Sequence, residues 1–401
     1  MHFGVFSPTP SPDIRQVVSQ LRWIALSLIA LAVPCAAQFP SDPDVDIHVQ
    51  KGIDLLYNVE FDRAQAEFDS VIKLRPDEPV GYFMQAMVEW WNIVAYHDDG
   101  SQDQKFYDML ERVIDMCEKR LDRNPDDVTA LFFKGGAVGF RGRLRAERGK
   151  WLGAANDGMV ALPLVRKAHE IDPKNEDVLL GIGVYNYYAD VIPDLYPFVK
   201  PVMIFFPGGD RKKGLEQLKE VSERAKYAKV EASYILLQDY FTYEKEYAKA
   251  YEIARSLCDR FPRNPVFRRY LGRCLVSVGR LPEANEVFLE IEKRFSAHDP
   301  GYDDYDGREA SYYIGRFEFV GSRYQNALRY FYACDSLCRR LDKDGSSGFM
   351  AMANLHIGMI YDLQKRRAEA VQQYQKVLQL KEYENSRKDA ARYIETPYAR
   401  N

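Results

Sequence analysis

The sequence predicts an all-α solenoid of stacked helical hairpins, and three observations predict it. A glycine, an alanine twelve residues later and an aromatic four after that occur together four times, as Gly52/Ala64/Phe68, Gly272/Ala284/Phe288, Gly315/Ala327/Phe331 and Gly358/Ala370/Tyr374. With 25 glycines and 13% aromatics, and alanine at roughly 8%, chance supplies about 0.3 such triplets. Proline also falls where a unit should stop: Pro76 lies twelve residues past Ala64, and Pro173 and Pro262 keep that frame after Ala161 and Ala250. Finally, Gln238, in the glycine's place before Ala250, precedes Gly272 by 34 residues, and the next two steps of 43 are 34 plus nine inserted residues.

This pattern resembles the tetratricopeptide repeat family, whose unit pairs a helix A bearing Leu-Gly-x-x-Tyr with a helix B bearing Ala-x-x-x-Phe and a closing proline. Residues 357–361 read Ile-Gly-Met-Ile-Tyr and are followed by Ala370 and Tyr374; Leu271-Gly272 with Ala284 and Phe288 is nearly as good a match. The resemblance implies a right-handed superhelix. Small residues let the two helices of a hairpin approach, the aromatic is expected to fill the space between successive hairpins, and at least three units must stack before an apolar face is buried.

Along the chain, residues 1–37 read as a secretory signal peptide: Arg15 and Arg22, an apolar run over 23–33, and small residues before a cut after Ala37. Export to the periplasm or beyond follows, with acylation of Cys35 as a lesser alternative. Residues 46–126 make the N-terminal hairpins, with Trp90 and Trp91 on an apolar helix and a polar insert over 97–104. Residues 127–229 form an irregular section. It opens with a long hairpin threaded by Gly135, Gly136, Gly139, Gly142, Gly149 and Gly153, where close backbone packing is expected. The same stretch carries Arg141, Arg143, Arg145, Arg148 and Lys150, spread around the helix as a solvated face or an anion patch. A helix over 175–189 leads to a proline-rich apolar excursion, residues 191–209, that no regular helix should span. It either shields apolar surface or serves as a lid or a contact for a partner or membrane surface. Asp210 caps the next helix. Residues 230–383 hold four regular hairpins, and 384–401 a capping helix and tail.

Composition narrows the functions. Hydrophobic content of 46% and charged content of 28% fit a folded globular chain. A net charge of −4 argues against nonspecific nucleic-acid binding. The histidines are scattered, with no HExxH pair and no Gly-x-Ser-x-Gly elbow. Residues 208–215 lack the strand and the Gly-Lys-Ser/Thr ending of a phosphate loop. Asp303, Asp304 and Asp306 do not match a calcium loop. Cys334 and Cys338 stand one helical turn apart without further ligands, so they read as buried small residues, as do the other cysteines; a Cys258–Cys274 bridge is open. The expectation is a noncatalytic chain without cofactor or metal.

The resemblance implies binding along the concave face, through positions three before and one after the consensus glycine. These select Arg269 and Arg273, Tyr312 and Arg316, and, in the preceding unit, Ile235 and Asp239. Three arginines would suit an acidic peptide or a carboxylate terminus of a protein partner. The alternative is a small-molecule or lipid site closed by Tyr185, Tyr188, Tyr196 and Phe205.

Overall fold

Seventeen α-helices follow one another in the computed structural model, which describes residues 42–97, 100–200, 206–343 and 345–400, apart from the Phe198 side chain. All of them belong to the unit Phe39–Asn401, and no strand occurs among the described residues. Eight hairpins pair α1 (Pro43–Tyr57) with α2 (Phe61–Leu74), α3 (Pro79–Ala95) with α4 (Asp103–Leu121), α5 (Val128–Glu147) with α6 (Trp151–Ile171) and α7 (Leu179–Leu195) with α8 (Arg211–Arg224). Then come α9 (Lys229–Gln238) with α10 (Tyr247–Arg260), α11 (Pro265–Ser277) with α12 (Leu281–Ser296), α13 (Asp304–Val320) with α14 (Tyr324–Leu341) and α15 (Gly348–Leu363) with α16 (Arg367–Gln379); α17 (Ser386–Glu395) caps the end. The unit is a right-handed superhelical solenoid of tetratricopeptide-type hairpins. No described helix is long and apolar enough to cross a membrane. The signal-peptide reading and Cys35 lie outside the described residues.

Local chemistry sets the boundaries. Asp127, Asp210 and Asn264 accept the backbone N–H three residues on, at 2.9, 2.9 and 3.1 Å, and Asp303 with Asp306 forms a capping box on α13. The connector carboxylates thus serve as helix caps. Proline holds the first or second position of α1, α3, α11 and α12, where its missing N–H costs nothing. The A-to-B turns recur with one left-handed residue: Val59, Gly149, Lys245, Gly279, Ser322 or Lys365, at φ between 55 and 79°.

The four glycine triplets share one contact. A Cβ on Gly52, Gly272, Gly315 or Gly358 would sit 2.4, 2.7, 2.9 or 2.4 Å from the ring of Phe68, Phe288, Phe331 or Tyr374. The aromatic therefore presses first on its own hairpin's glycine, a correction to the expected role between hairpins. Its far side then meets the next unit: Phe288 stacks on Tyr313 at 4.4 Å and Phe331 on His356 at 5.0 Å. The five described cysteines, Cys117, Cys258, Cys274, Cys334 and Cys338, are buried free thiols, so the Cys258–Cys274 bridge is not made.

The irregular section departs from expectation twice. Arg141 and Arg145 both bind the fully buried Asp157 (2.7 and 2.6 Å), and Arg148 binds Asp103 (2.8 Å), so these arginines are neither a solvated face nor an anion patch. The buried Asp157 on α6 and the half-buried Asp103 on α4 draw them inward. Also, the helix does not stop before residue 191: α7 runs through Pro193 to Leu195, and a 3₁₀ turn spans Pro197–Val199. A proline in the last turn forfeits one backbone bond, and flanking turns tolerate that. Close backbone packing does occur at Gly135 and Gly142, which face Ala161 O and Ala154 O, and between α7 and α8, where Gly183 and Gly214 face each other.

Candidate functional site

The inner faces of the early hairpins turn onto later ones. Tyr57 of α1 lies 5.5 Å from Phe261 and 6.3 Å from Phe267, while Trp91 of α3 meets Tyr234 at 5.0 Å and Phe267 at 5.5 Å. One hydrophobic core consequently runs from Val45 through the first hairpins to α9–α11. Glu231 of α9, only 5% exposed, sits at its centre. It accepts hydrogen bonds from Tyr57 Oη and Trp91 Nε1 at 3.1 Å each and from Arg143 at 2.6 Å, one donor from each of α1, α3 and α5. Its charge is held by one guanidinium and two neutral donors.

A second contact closes the same seam. After α3, His97 bonds Asp303 through Nδ1 at 3.0 Å and stacks on Tyr305 at 4.7 Å, while the Gly301 N–H donates to Tyr96 Oη at 2.9 Å. His97, Asp303 and Asp306 bring possible metal-ligating atoms within 4.8 Å of one another. Each of the carboxylate oxygens already accepts a bond: Asp306 takes Arg269 on one oxygen and the Asp303 N–H on the other, and Asp303 takes two backbone N–H groups on one oxygen and His97 on the other. With a guanidinium 2.6 Å from Asp306, the trio is a latch between hairpins. Burial and the Arg269 charge pull the His97 pKa down. A cavity of about 520 Å³ opens beside it, where Asp304 and Arg340 form their own pair at 2.9 Å.

The residues selected for the concave face are placed as follows. Arg269 is 5% exposed and paired with Asp306; Arg273 holds Glu309 with both arms of its fork. Tyr312 is buried against Phe349 at 5.3 Å. Arg316 alone of these is exposed, with its guanidinium 5.8 Å from the Tyr312 ring. Asp239 is fully buried on α9's continuation, far in character from a groove contact.

Asp239 belongs to a different cluster, where α5, α7 and α9 meet. The helical ladder slips there into a π turn, Asp239–Tyr243, closed by Glu244 N–H to Asp239 O at 3.0 Å. Asp239 accepts a bond from Tyr188 Oη at 2.8 Å; its other carboxylate oxygen is buried and accepts none. Burial pushes its carboxyl up to about 8. Gln238, standing where other units carry glycine, accepts from Arg143 at 3.1 Å and donates to Tyr234 Oη at 3.1 Å. Arg143 itself lies over the Trp90 ring at 4.8 Å. Tyr188 meets Tyr243 edge to face at 6.0 Å, and Tyr187 and Arg211 both bind Glu244 at 2.7 Å.

Of the alternative ligand set, Tyr188 is in this cluster and Tyr196 lies tilted against Trp151 at 5.0 Å. Tyr185 faces away, donating to Pro207 O at 2.8 Å, and Phe205 lies outside the described residues. Reasoning from sequence read Arg143 as part of a solvated face or an anion patch, and missed its partners Glu231 and Glu147, 2.6 and 3.8 Å from its nitrogens, and the π turn. The one available signal was the glutamine in the glycine's place.

No protein-family model matches the chain, and no curated protein does. Solved structures similar to it include the APC/C hetero-tetramer Cut9–Hcn1, at 13% identity over 94% of this chain and 59% of that one, with a TM-score of 0.52. The human IFIT1 dimer with PPP-AAAA is similar at 16% identity over 84% of this chain and 72% of that one, with a TM-score of 0.44. Yeast Tom70 is similar at 10% identity over 95% and 93%, with a TM-score of 0.38. At these identities the likeness concerns the fold alone.

Proposed function

We propose that this protein is an exported, noncatalytic interaction scaffold that holds a protein or peptide partner along the inner face of its C-terminal hairpins, in the cell envelope. One observation carries the reading. The inner faces of α1 and α3 are spent on α9, α11 and the start of α13, whereas Arg316, further along α13, stays exposed and has no carboxylate against it among the described residues. A guanidinium fork on a rigid helix favours a carboxylate of the partner. Arg269 and Arg273 then act from behind, bracing α11 against α13 through Asp306 and Glu309. The shared fold of Cut9, solved as a hetero-tetramer with Hcn1, supports an interaction role. Export rests on the composition of residues 1–37.

The test is a crosslinked pull-down from envelope extracts with the purified protein and its Arg316→Glu variant. Partners enriched by the parent should be lost by the variant while its melting curve is unchanged. Identical recovery by both would sink the reading.

A further inference from the structure

The π-turn cluster is short of a cation. Glu147, Glu231 and Asp239 gather around a single guanidinium, Arg143, whose nitrogens lie 3.8 Å from Glu147 and 2.6 Å from Glu231. The other cations nearby are committed elsewhere, Arg211 to Glu244 and Arg148 to Asp103. The buried Asp239 oxygen accepts no bond, and an ionised carboxylate there is costly unless something supplies a donor. Around it stand the rings of Tyr188 and Tyr243, both half-buried, with the exposed Glu147 as the acid nearest solvent.

We infer that this cluster, at the junction of α5, α7 and the π turn, is a binding site for a primary ammonium group on a slender aliphatic stem, such as a lysine side chain or a free polyamine. The free oxygen of Asp239 calls for an N–H donor, the surplus of acids calls for positive charge, and tyrosine faces attract a cation while covering its apolar stem. A quaternary ammonium offers no donor to that oxygen. A metal ion would need several free oxygen ligands, whereas the Glu231 oxygens already accept from Tyr57, Trp91 and Arg143. The site is distinct from the Arg316 surface, so the Arg316→Glu variant should bind the amine unchanged, and either reading can fail without the other.

The sign of the pH dependence follows. The groups facing Asp239 are Arg143 from α5, Tyr187 and Tyr188 from α7, and Tyr240, Tyr243 and Glu244 from the π turn and its exit. With its carboxyl pushed up to about 8, Asp239 carries a proton at neutral pH, and that proton must leave for the ammonium to be matched. Affinity should therefore rise with pH to about 8 and then level off, since an alkylammonium keeps its charge to about pH 10.

The experiment titrates the purified protein with n-butylammonium at fixed ionic strength, followed by calorimetry, with tetramethylammonium and n-butanol as charge-only and stem-only controls. We expect butylammonium to bind at least tenfold tighter than either control, and about fivefold tighter at pH 8 than at pH 7. Asp239→Asn should lose the binding and the pH dependence. Should that variant not fold, Tyr188→Phe removes the bond that favours the ionised acid and should shift the pH profile upward. Equal binding of all three probes, a flat pH profile, or no butylammonium binding would overturn the site. Spermidine and an N-acetyl-Gly-Lys-Gly amide then name the source: whichever binds tighter identifies a free polyamine or a polypeptide side chain, and failure of both overturns the inference.

Discussion

At the scale of the residue, each repeat is written in the pairing of one glycine with one ring. Ring atoms lie where a Cβ would be at Gly358, 2.4 Å away, whereas nothing stands within 4 Å of a Cβ at Gly139, also in a helix interior. The two glycines should respond oppositely to alanine. At Gly358 the added methyl forces Tyr374 off its seat, at a cost of about 1–3 kcal/mol that exceeds the gain in helix propensity of about 1 kcal/mol. At Gly139 only the propensity gain of up to about 1 kcal/mol is felt. Urea denaturation of Gly358→Ala and Gly139→Ala measures both; a Gly358→Ala protein as stable as the parent would show that the ring does not depend on the glycine. The triplets were legible in sequence because this contact lies within one hairpin, where a fixed spacing suffices. The direction of the ring was not, because its far side is settled by the neighbouring unit.

At the scale of the element, α9 and α5 are held by charges that each alone would be out of place. Arg143 and Glu231 are both largely withdrawn from solvent and bonded at 2.6 Å. Glu231→Ala should destabilise the fold by about 3–5 kcal/mol, because it strands the guanidinium and leaves the Tyr57 and Trp91 donors unpaired. Replacing both partners with leucine should recover the part due to the stranded guanidinium but not the part due to the Tyr57 and Trp91 donors, which stay unpaired. Chemical denaturation of the two single variants and the double variant closes the cycle, and additive losses would mean that the pair is not coupled. From sequence, Arg143 was one of five basic residues around a helix. Nothing in its spacing indicated a carboxylate 88 positions away on α9. Asp157 escaped notice for the same reason, although it gathers Arg141 and Arg145 from the facing helix of its own hairpin.

At the scale of the whole molecule, the early hairpins do not merely begin a stack. In an open solenoid each unit touches only its neighbours, and loss of a terminal unit is felt locally. Here α1 also reaches residues 226–264: Lys226 bonds Asp46, Asn264 donates to Tyr57 O at 2.9 Å, and Arg260 binds Asp54 at 2.9 Å. Val59 lies against Gly301, and the His97 latch follows. Deleting residues 43–76 should consequently raise amide exchange at the end of α10, in α11 and before α13, where Phe261, Phe267 and Gly301 lose their cover. Unchanged exchange there, with changes confined to α3 and α4, would mean that the closure contributes nothing to the distal hairpins.

The sequence by itself determined the helical class, the hairpin unit and the points at which chains of small and aromatic residues stop and start again, because those follow from contacts between residues at fixed short separations. It also marked Tyr188 and Arg316, whose present surroundings differ sharply: one is bonded to a buried acid, the other is exposed. Only the tertiary structure decided which charges were already matched. Arg269, Arg273 and Arg143 look like ligands in a linear reading, yet Asp306, Glu309 and Glu231 reach each of them from another hairpin, while Asp239 is left with an oxygen unpaired. Electrostatic pairing depends on distance in space and on the burial around it, and neither is fixed until the superhelix closes on its own first hairpins.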